Sequence, residues 1–277
     1  MKKKKFHINP KIIINVVVAL LFISPLYWTF ITSIKEKAEV YGTPPTLFPK
    51  SFSLENYTKI FTINDGIYLS YFFNSLKITI ITVFFVCAIS VLAGYGFSKL
   101  AFPGKGMWMT LIMLALMVPF QALMVPLYNI MSELNLLNSQ LSLIFIYATF
   151  QTPFCVFMMK NSFDMIPKEL GEAAVIDGAG RFRTFSKIYF PLVLSGIVTV
   201  GVYSAYTTWN DYIIALVFAN TNMKTFNVGL VNMALGDYGT DWGILTSGSF
   251  VGLIPILIMF IFLQKYFVKG MMSGALK

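Results

Sequence analysis

The sequence predicts an all-α integral membrane protein with six transmembrane helices. Charge-free runs are the first sign: they span 12–34, 78–98, 106–132, 134–159, 188–210 and 242–264, each at least 21 residues long. About 20 helical residues cross a bilayer core, and a soluble fold would break such runs every ten to fifteen residues or so. Composition is the second, with 57% hydrophobic and only 12% charged residues against about 25% charged in a soluble domain. The third is the way the remaining charges sort by side. Outer-membrane strands would instead show alternating segments of about ten residues.

The basic tail 1–11 leads into a first span over 12–34. That run exceeds the 7–15 residues or so of a signal-peptide core and has no small-residue cleavage site after it, so it is expected to stay as an anchor. Five more spans are expected near 76–98, 107–131, 140–159, 192–218 and 244–265, giving one transmembrane domain over 12–267 and a tail over 268–277. The longest charged interruption, 160–191, lies between the fourth and fifth spans. Pro119, Pro126, Pro153 and Pro255 fall within spans, where they are expected to kink helices. Residues 35–73 form a long, proline-bearing loop on the opposite side from the tails, expected to be ordered.

The net charge of +9 does not call for nucleic acid. The tails, the 99–105 loop and the 160–187 loop together hold 15 of the 21 basic residues and four acidic ones, while the other side holds six basic and eight acidic residues. Such a bias places both termini in the cytoplasm. Cys87 and Cys155 sit in separate apolar runs and are read as small buried side chains.

Intramembrane chemistry needs ionisable groups in the spans, and these spans are nearly clean. The single histidine, His7, lies in the basic tail, and no HExxH, paired carboxylates or Ser/His/Asp set can be assembled. Gly104-Lys105 is not a P-loop, since Lys99 stands where its leading glycine belongs. An enzyme is therefore disfavoured. Asp211, within "TTWNDYIIALVF", is the exception. It either faces a polar pathway or marks the outer end of a span, beside Trp209 in the aromatic belt.

The segment "IPKELGEAAVIDGAGRFRTFSKIYFP" (166–191) reads as two short helices. Pro167 suits a first turn, and Glu169 and Glu172 favour a helix N-terminus. Leu170, Ala173, Ala174 and Ile176 give a small apolar face, and Gly178 and Gly180 are expected to end the helix in the left-handed cap conformation. Phe182 and Phe185 are expected on one side of the second helix, with Arg181, Arg183 and Lys187 around the rest. Such a knob either docks into a partner protein's groove or lies on the lipid surface.

This segment resembles the signature of bacterial ABC-importer permeases: EAA, three residues, Gly, nine residues, Ile, one residue, Leu-Pro. Here Glu172-Ala173-Ala174, Gly178, Ile188 and Pro191 match, and Phe190 replaces the leucine. "SFSLENYTKIF" (51–61), "NSLKIT" (74–79), "AGYGFSKLAFPGKG" (93–106), "MVPFQALMVPLYNIMSELNLLNSQLSLI" (117–144), "TWND" (208–211) and "GMMSGALK" (270–277) extend the likeness over nearly the whole chain and to the carbohydrate-uptake, maltose and multiple-sugar branch.

The resemblance implies a type I importer permease fold in the bacterial cytoplasmic membrane. Its partners would be a second, related permease, two cytoplasmic ATPase subunits and an extracytoplasmic solute-binding protein, and ATP and Mg would sit on the ATPase, with no cofactor on this chain. The 160–191 loop would be the coupling loop, with Glu172, Ala173, Ala174, Asp177, Gly178, Arg181 and Arg183 meeting the ATPase. The loop 35–73 becomes a candidate contact for the binding protein. A neutral sugar needs amides and aromatic faces, which Gln121, Asn129, Tyr147, Gln151, Trp209, Asn210 and Asp211 could supply along a path. Taken singly, each is better read as a helix–helix hydrogen bond or belt residue. The cargo is expected to be a di- or oligosaccharide. The alternative is an amino acid, polyamine or glycerol phosphate, which would call for more intramembrane charge.

Overall fold

The computed structural model describes residues 10–220, 223–236 and 239–275, with side chains as far as Gln264. Most of the predicted N-terminal tail and the last two residues of the C-terminal one lie outside them. In chain order the elements are α1 (Pro10–Ser33), α2 (Lys37–Val40), α3 (Glu55–Thr62), α4 (Ile67–Lys99), α5 (Lys105–Ala115), α6 (Phe120–Glu133) and α7 (Gln140–Asp164). They continue with α8 (Glu169–Ile176), α9 (Arg181–Thr184), a π-turn at Phe185–Tyr189, α10 (Phe190–Leu192), α11 (Leu194–Asn210), α12 (Ile213–Phe218) and α13 (Phe226–Ala234). The two-residue strands β1 (Leu235–Gly236) and β2 (Gly239–Thr240) pair antiparallel before α14 (Trp242–Ala275).

Four helices, α1, α4, α7 and α14, are long and apolar enough to cross a membrane alone, and two bent pairs raise the number to six. The third predicted span is one of these pairs: α5 and α6 meet at 95°. Pro119, extended at ψ 133°, stands at the break. Proline lacks an N–H and keeps the residue before it out of helical geometry, so no helix runs through this point. Pro126, Pro153 and Pro255 lie inside continuous helices. The fifth span, expected as one helix over 192–218, bends by 71° where α10 meets α11 and stops again at Asp211 and Tyr212 before α12.

The chain forms two compact units. One contains the residues up to Leu69 together with Gly229–Ile254. The loop after α1 is ordered there: the Asn56 amide donates to the carbonyls of Ser33 and Lys35 (3.3 and 3.1 Å), fastening α3 to the end of α1. The Tyr41 hydroxyl donates to the Thr240 carbonyl (2.8 Å) and accepts from the Trp242 N–H (3.2 Å), which ties α2 to the β-ribbon.

The other unit, Ser70–Val228 with Pro255 onward, is built on α7. Two apolar clusters lie along that helix, one around Leu143, Ile146 and Phe218, the other around Cys155, Met159, Phe163 and Val200. Cys155 is buried, as expected, and Cys87 is half-buried against the second cluster. At Gly94 a Cβ would stand 2.9 Å from the Lys160 backbone nitrogen. Only glycine lets α4 come so close to α7, the usual way helices pack in lipid.

Candidate coupling loop and polar helix junction

The loop after α7 is held by both spans beneath it. Asp164, the last residue of α7, accepts from the Ser98 hydroxyl at 2.6 Å and pairs with Lys160 one turn back. Lys99, at the end of α4, donates to the Ile166 carbonyl at 2.6 Å and rests its ammonium 5.3 Å from the centre of the Tyr189 ring. The Tyr95 ring packs against those of Phe163, Phe185 and Tyr189 at centroid distances of 5.7, 4.9 and 5.6 Å. The knob thus stands on an aromatic platform.

α8 starts two residues after Pro167, which stands just outside the helix rather than in its first turn. Its end follows from the sequence. Gly178 takes φ +79°, its N–H donates to the Val175 carbonyl (3.0 Å), and the Ala179 N–H reaches back to the Ala174 carbonyl (2.9 Å). This pair of bonds is the Schellman motif, which satisfies the last free carbonyls of a helix. Gly180 does not share the role expected for it: its φ of −68° is ordinary, and it serves as the N-cap residue of α9.

Of the expected small apolar face, only Ala174 turns inward, while Leu170, Ala173 and Ile176 are exposed. Gly171, missed at the sequence level, lies directly against the Tyr189 hydroxyl, where any Cβ would collide and would sit 3.0 Å from Cζ of the ring. A glycine in the first turn of a helix otherwise made of good formers was the available signal. Phe182 and Phe185 diverge. The π-turn widens the helix from Phe185 onward, directing Phe185 into the aromatic platform and leaving Phe182 80% exposed. Ile176 is 86% exposed and Val175 is exposed beside it. Glu172, Asp177, Arg181 and Arg183 are exposed around these apolar side chains.

A second group of predicted residues meets where α7 faces α11. The Tyr147 hydroxyl donates to Asp211 Oδ2 at 2.7 Å, and the N–H groups of Ile214 and Ala215 reach the same carboxylate at 3.4 and 3.0 Å. Asp211 therefore caps α12 at the point where α11 stops. One turn deeper, the buried Gln151 amide donates to Thr208 Oγ1 (2.9 Å), and its carbonyl accepts from the Ser204 hydroxyl (2.5 Å). Trp209 is buried edge-on against Phe72, and its carbonyl accepts from the Asn227 amide (2.9 Å). Tyr147, Gln151, Trp209 and Asp211 thus have partners within the chain. Gln121 and Asn129 lie apart on α6, and Asn210, bonded to the Tyr206 carbonyl, is exposed like them.

In the same unit α4, α11 and α14 line a cavity of 460 Å³, among them Val83, Ile197, Gly201, Trp209, Pro255 and Met259. Its walls are almost wholly apolar, unsuited to a hydroxyl-rich solute.

A family model described as "Binding-protein-dependent transport system inner membrane component" matches residues 86–273. The chain belongs to this family. Its members are transport subunits of the inner membrane, in keeping with the multi-pass helical fold. The permease resembles "Probable ABC transporter permease protein YurM" of Bacillus subtilis, at 37% identity over 91% of this chain and 83% of that one. It is 32% identical to the arabinooligosaccharides transport system permease protein AraQ of Halalkalibacterium halodurans, over 94% and 93% of the two chains. It is also 32% identical to the sulfoquinovosyl glycerol transport system permease protein SmoH of Agrobacterium fabrum, over 91% and 88%. The fold matches a chain of a bacterial ABC transporter that imports alginate, with a TM-score of 0.80, 22% identity and coverage of 93% and 95%.

Proposed function

We propose that this permease subunit forms half of the translocation path of an ATP-driven importer for a di- or oligosaccharide. The observation that carries the reading is the knob of residues 169–184, a charged, well-capped helix pair that leaves Ile176 and Phe182 largely exposed among the described residues. Large apolar side chains ringed by charge mark a protein-binding surface. Two cytoplasmic ATPase subunits that carry ATP and Mg are the fitting occupants, with Glu172, Ala173, Asp177, Arg181 and Arg183 at the contact and Gly171, Ala174 and Gly178 holding its shape. Closure of the ATPase pair then pulls the knob, and the aromatic platform passes the pull to α4 and α7. On this reading the knob and both termini lie in the cytoplasm, and the charge bias supports that orientation.

The sugar cargo is supported by relatives whose names specify arabinooligosaccharides and sulfoquinovosyl glycerol. The chemistry agrees, because the Asp211 carboxylate is already engaged by Tyr147 and two backbone N–H groups within its own chain, and no basic side chain accompanies it to hold a phosphate. Gln121, Asn129 and Asn210 have exposed amides to offer a solute, and a second, related permease would enclose them. A solute-bound extracytoplasmic protein would deliver the cargo against the ordered loop after α1.

The test is to purify the permease with its ATPase, partner permease and binding protein, and to screen solutes for stimulation of ATP turnover. Oligosaccharides should stimulate and amino acids should not. Glu172→Lys should abolish stimulated turnover while the complex still inserts in the membrane. Normal turnover in that variant would remove the coupling role from this segment.

A further inference from the structure

The loop after α1 folds back along the helix it has just left. Lys35, two residues beyond the end of α1, is 3% exposed, sets its ammonium 5.0 Å from the centre of the Trp28 ring and donates to the Thr46 carbonyl at 2.6 Å. One residue further along the loop and one residue lower on the helix, the Tyr27 hydroxyl donates to the Leu47 carbonyl at 2.8 Å. The Phe48 ring meets the Tyr27 ring edge-on at 6.3 Å. The segment 46–48 therefore descends in register with Trp28 and then Tyr27.

Helical side chains lean toward the helix N-terminus, so the Tyr27 hydroxyl points away from the loop end of α1 and toward the bilayer midplane. Paired Tyr and Trp near a span end mark the membrane–water interface. Tyr27 lies six residues before Ser33, about 9 Å down the helix axis at a rise of 1.5 Å per residue. At that depth the loop exposes two large apolar side chains, Leu47 at 64% and Phe48 at 75%. Lys50, two residues on, is exposed, and its N–H donates to Glu39. No residue in the apolar stretch of α1 is buried within the described chain.

We propose that Leu47 and Phe48 form a wedge inserted among the acyl chains of the outer leaflet, with Tyr27 as its stop and the Lys35–Thr46 bond as its upper hinge. Lipid is the occupant that fits: the two side chains bear no polar atom, they lie at the level of the aromatic belt, and apolar faces carrying Phe and Leu bury about 5–10 Å into the headgroup–acyl boundary. The wedge fixes the height of the external loop, and of α2 and α3 within it, relative to the bilayer surface.

The experiment attaches a small fluorophore to Phe48→Cys in a Cys87→Ser, Cys155→Ala background, in the full transporter complex in liposomes. Two references accompany it: Lys50→Cys for water and Phe22→Cys for the middle of α1. Phospholipids brominated on the acyl chains should remove most of the emission at Phe48→Cys and Phe22→Cys, and aqueous iodide should leave both bright. Iodide should quench Lys50→Cys. Iodide quenching at Phe48→Cys equal to that at Lys50→Cys would overturn the wedge, because the loop would then stand in water. Bright emission against both quenchers would overturn it as well, because protein rather than lipid would cover the loop. A loss of bromolipid quenching at Phe22→Cys would instead strike the membrane placement of α1 itself. If Phe48→Cys disturbs assembly, Leu47→Cys carries the same comparison.

Discussion

Tyr189 holds its hydroxyl against the one residue of α8 that has no side chain, Gly171. The contact fixes the coupling knob to the foot of the fifth span, so a methyl group at Gly171 must push the two apart. Gly171→Ala should cost about 1–3 kcal/mol as an overpacked contact and lower stimulated ATP turnover with normal insertion. Adding Tyr189→Phe removes the nearest clashing atom and should recover part of the loss. A double-mutant cycle on the thermal midpoint of the complex reads the coupling directly. Strict additivity would mean that the two residues do not bear on each other.

The exposed tip is separable from the joint that holds it. Ile176→Asp and Phe182→Asp change side chains that touch little of their own chain, so stability should stay within about 0.5 kcal/mol. ATPase association should weaken by at least tenfold, since truncating one central apolar anchor typically costs about 2 kcal/mol or more. Gly178→Pro attacks the joint instead. Its φ of +79° is out of reach for proline, and its N–H is needed by Val175. Co-purification of the ATPase with each variant is the measurement, and retained binding in both aspartate variants would remove the tip from the interface.

Much of this was legible in the sequence because the governing forces are local or one-dimensional. Charge-free runs mark helices wherever the solvent is lipid, and Gly178 announces a helix end because its backbone conformation suits almost nothing else. The bend between α5 and α6 was legible only as a proline, since Pro119 and Pro153 look alike and just one of them breaks a helix. Burial decides between them: α7 is packed on several sides and carries Pro153 within it, whereas α5 has no buried residue. Tyr147, Gln151 and Asp211 were recognised as polar residues in an apolar setting, but pairing between distant positions is invisible to spacing. The direction of Phe185 was hidden as well, because a π-turn leaves no trace in a pattern read at 3.6 residues per turn.

The external loop should respond to acid through Glu39. A hydrogen bond from the Thr46 hydroxyl, helped by backbone N–H groups of Lys50 and Ser51, holds its carboxyl below the usual carboxylate range. A depressed pKa in the folded state means that the bond stabilises the loop above the unfolded pKa, near 4.3 for glutamate. The contribution is lost as pH falls through the lower, folded value. Proteolysis of the 41–50 segment in the reconstituted transporter should therefore quicken below about pH 4.3, and Glu39→Gln should show the faster cleavage at every pH. A wild-type rate flat down to pH 3 would dissociate Glu39 from the order of the loop.

Asp211 and Tyr147 give the sharpest choice between a lock and a solute site. Asp211 caps α12 through Ile214 and Ala215 and accepts from Tyr147. Asp211→Ala should thus lose a cap worth about 1 kcal/mol and strand a buried hydroxyl at about 1–3 kcal/mol. Tyr147→Phe removes the donor without stranding anything as costly. In the Tyr147→Phe background, Asp211→Ala should therefore cost less than it does alone. If these residues only lock α7 to α11, the thermal midpoint falls in Asp211→Ala and the solute concentration for half-maximal ATP turnover stays put. If they touch solute, that concentration rises in Tyr147→Phe while the midpoint is unchanged. The bonds between Gln151, Ser204 and Thr208 one turn deeper extend the comparison. Interhelical hydrogen bonds in membranes average about 0.6 kcal/mol, so Gln151→Leu should lower the midpoint slightly and leave solute specificity intact. A switch in the preferred sugar on Gln151→Leu would make the junction part of the path and not its frame.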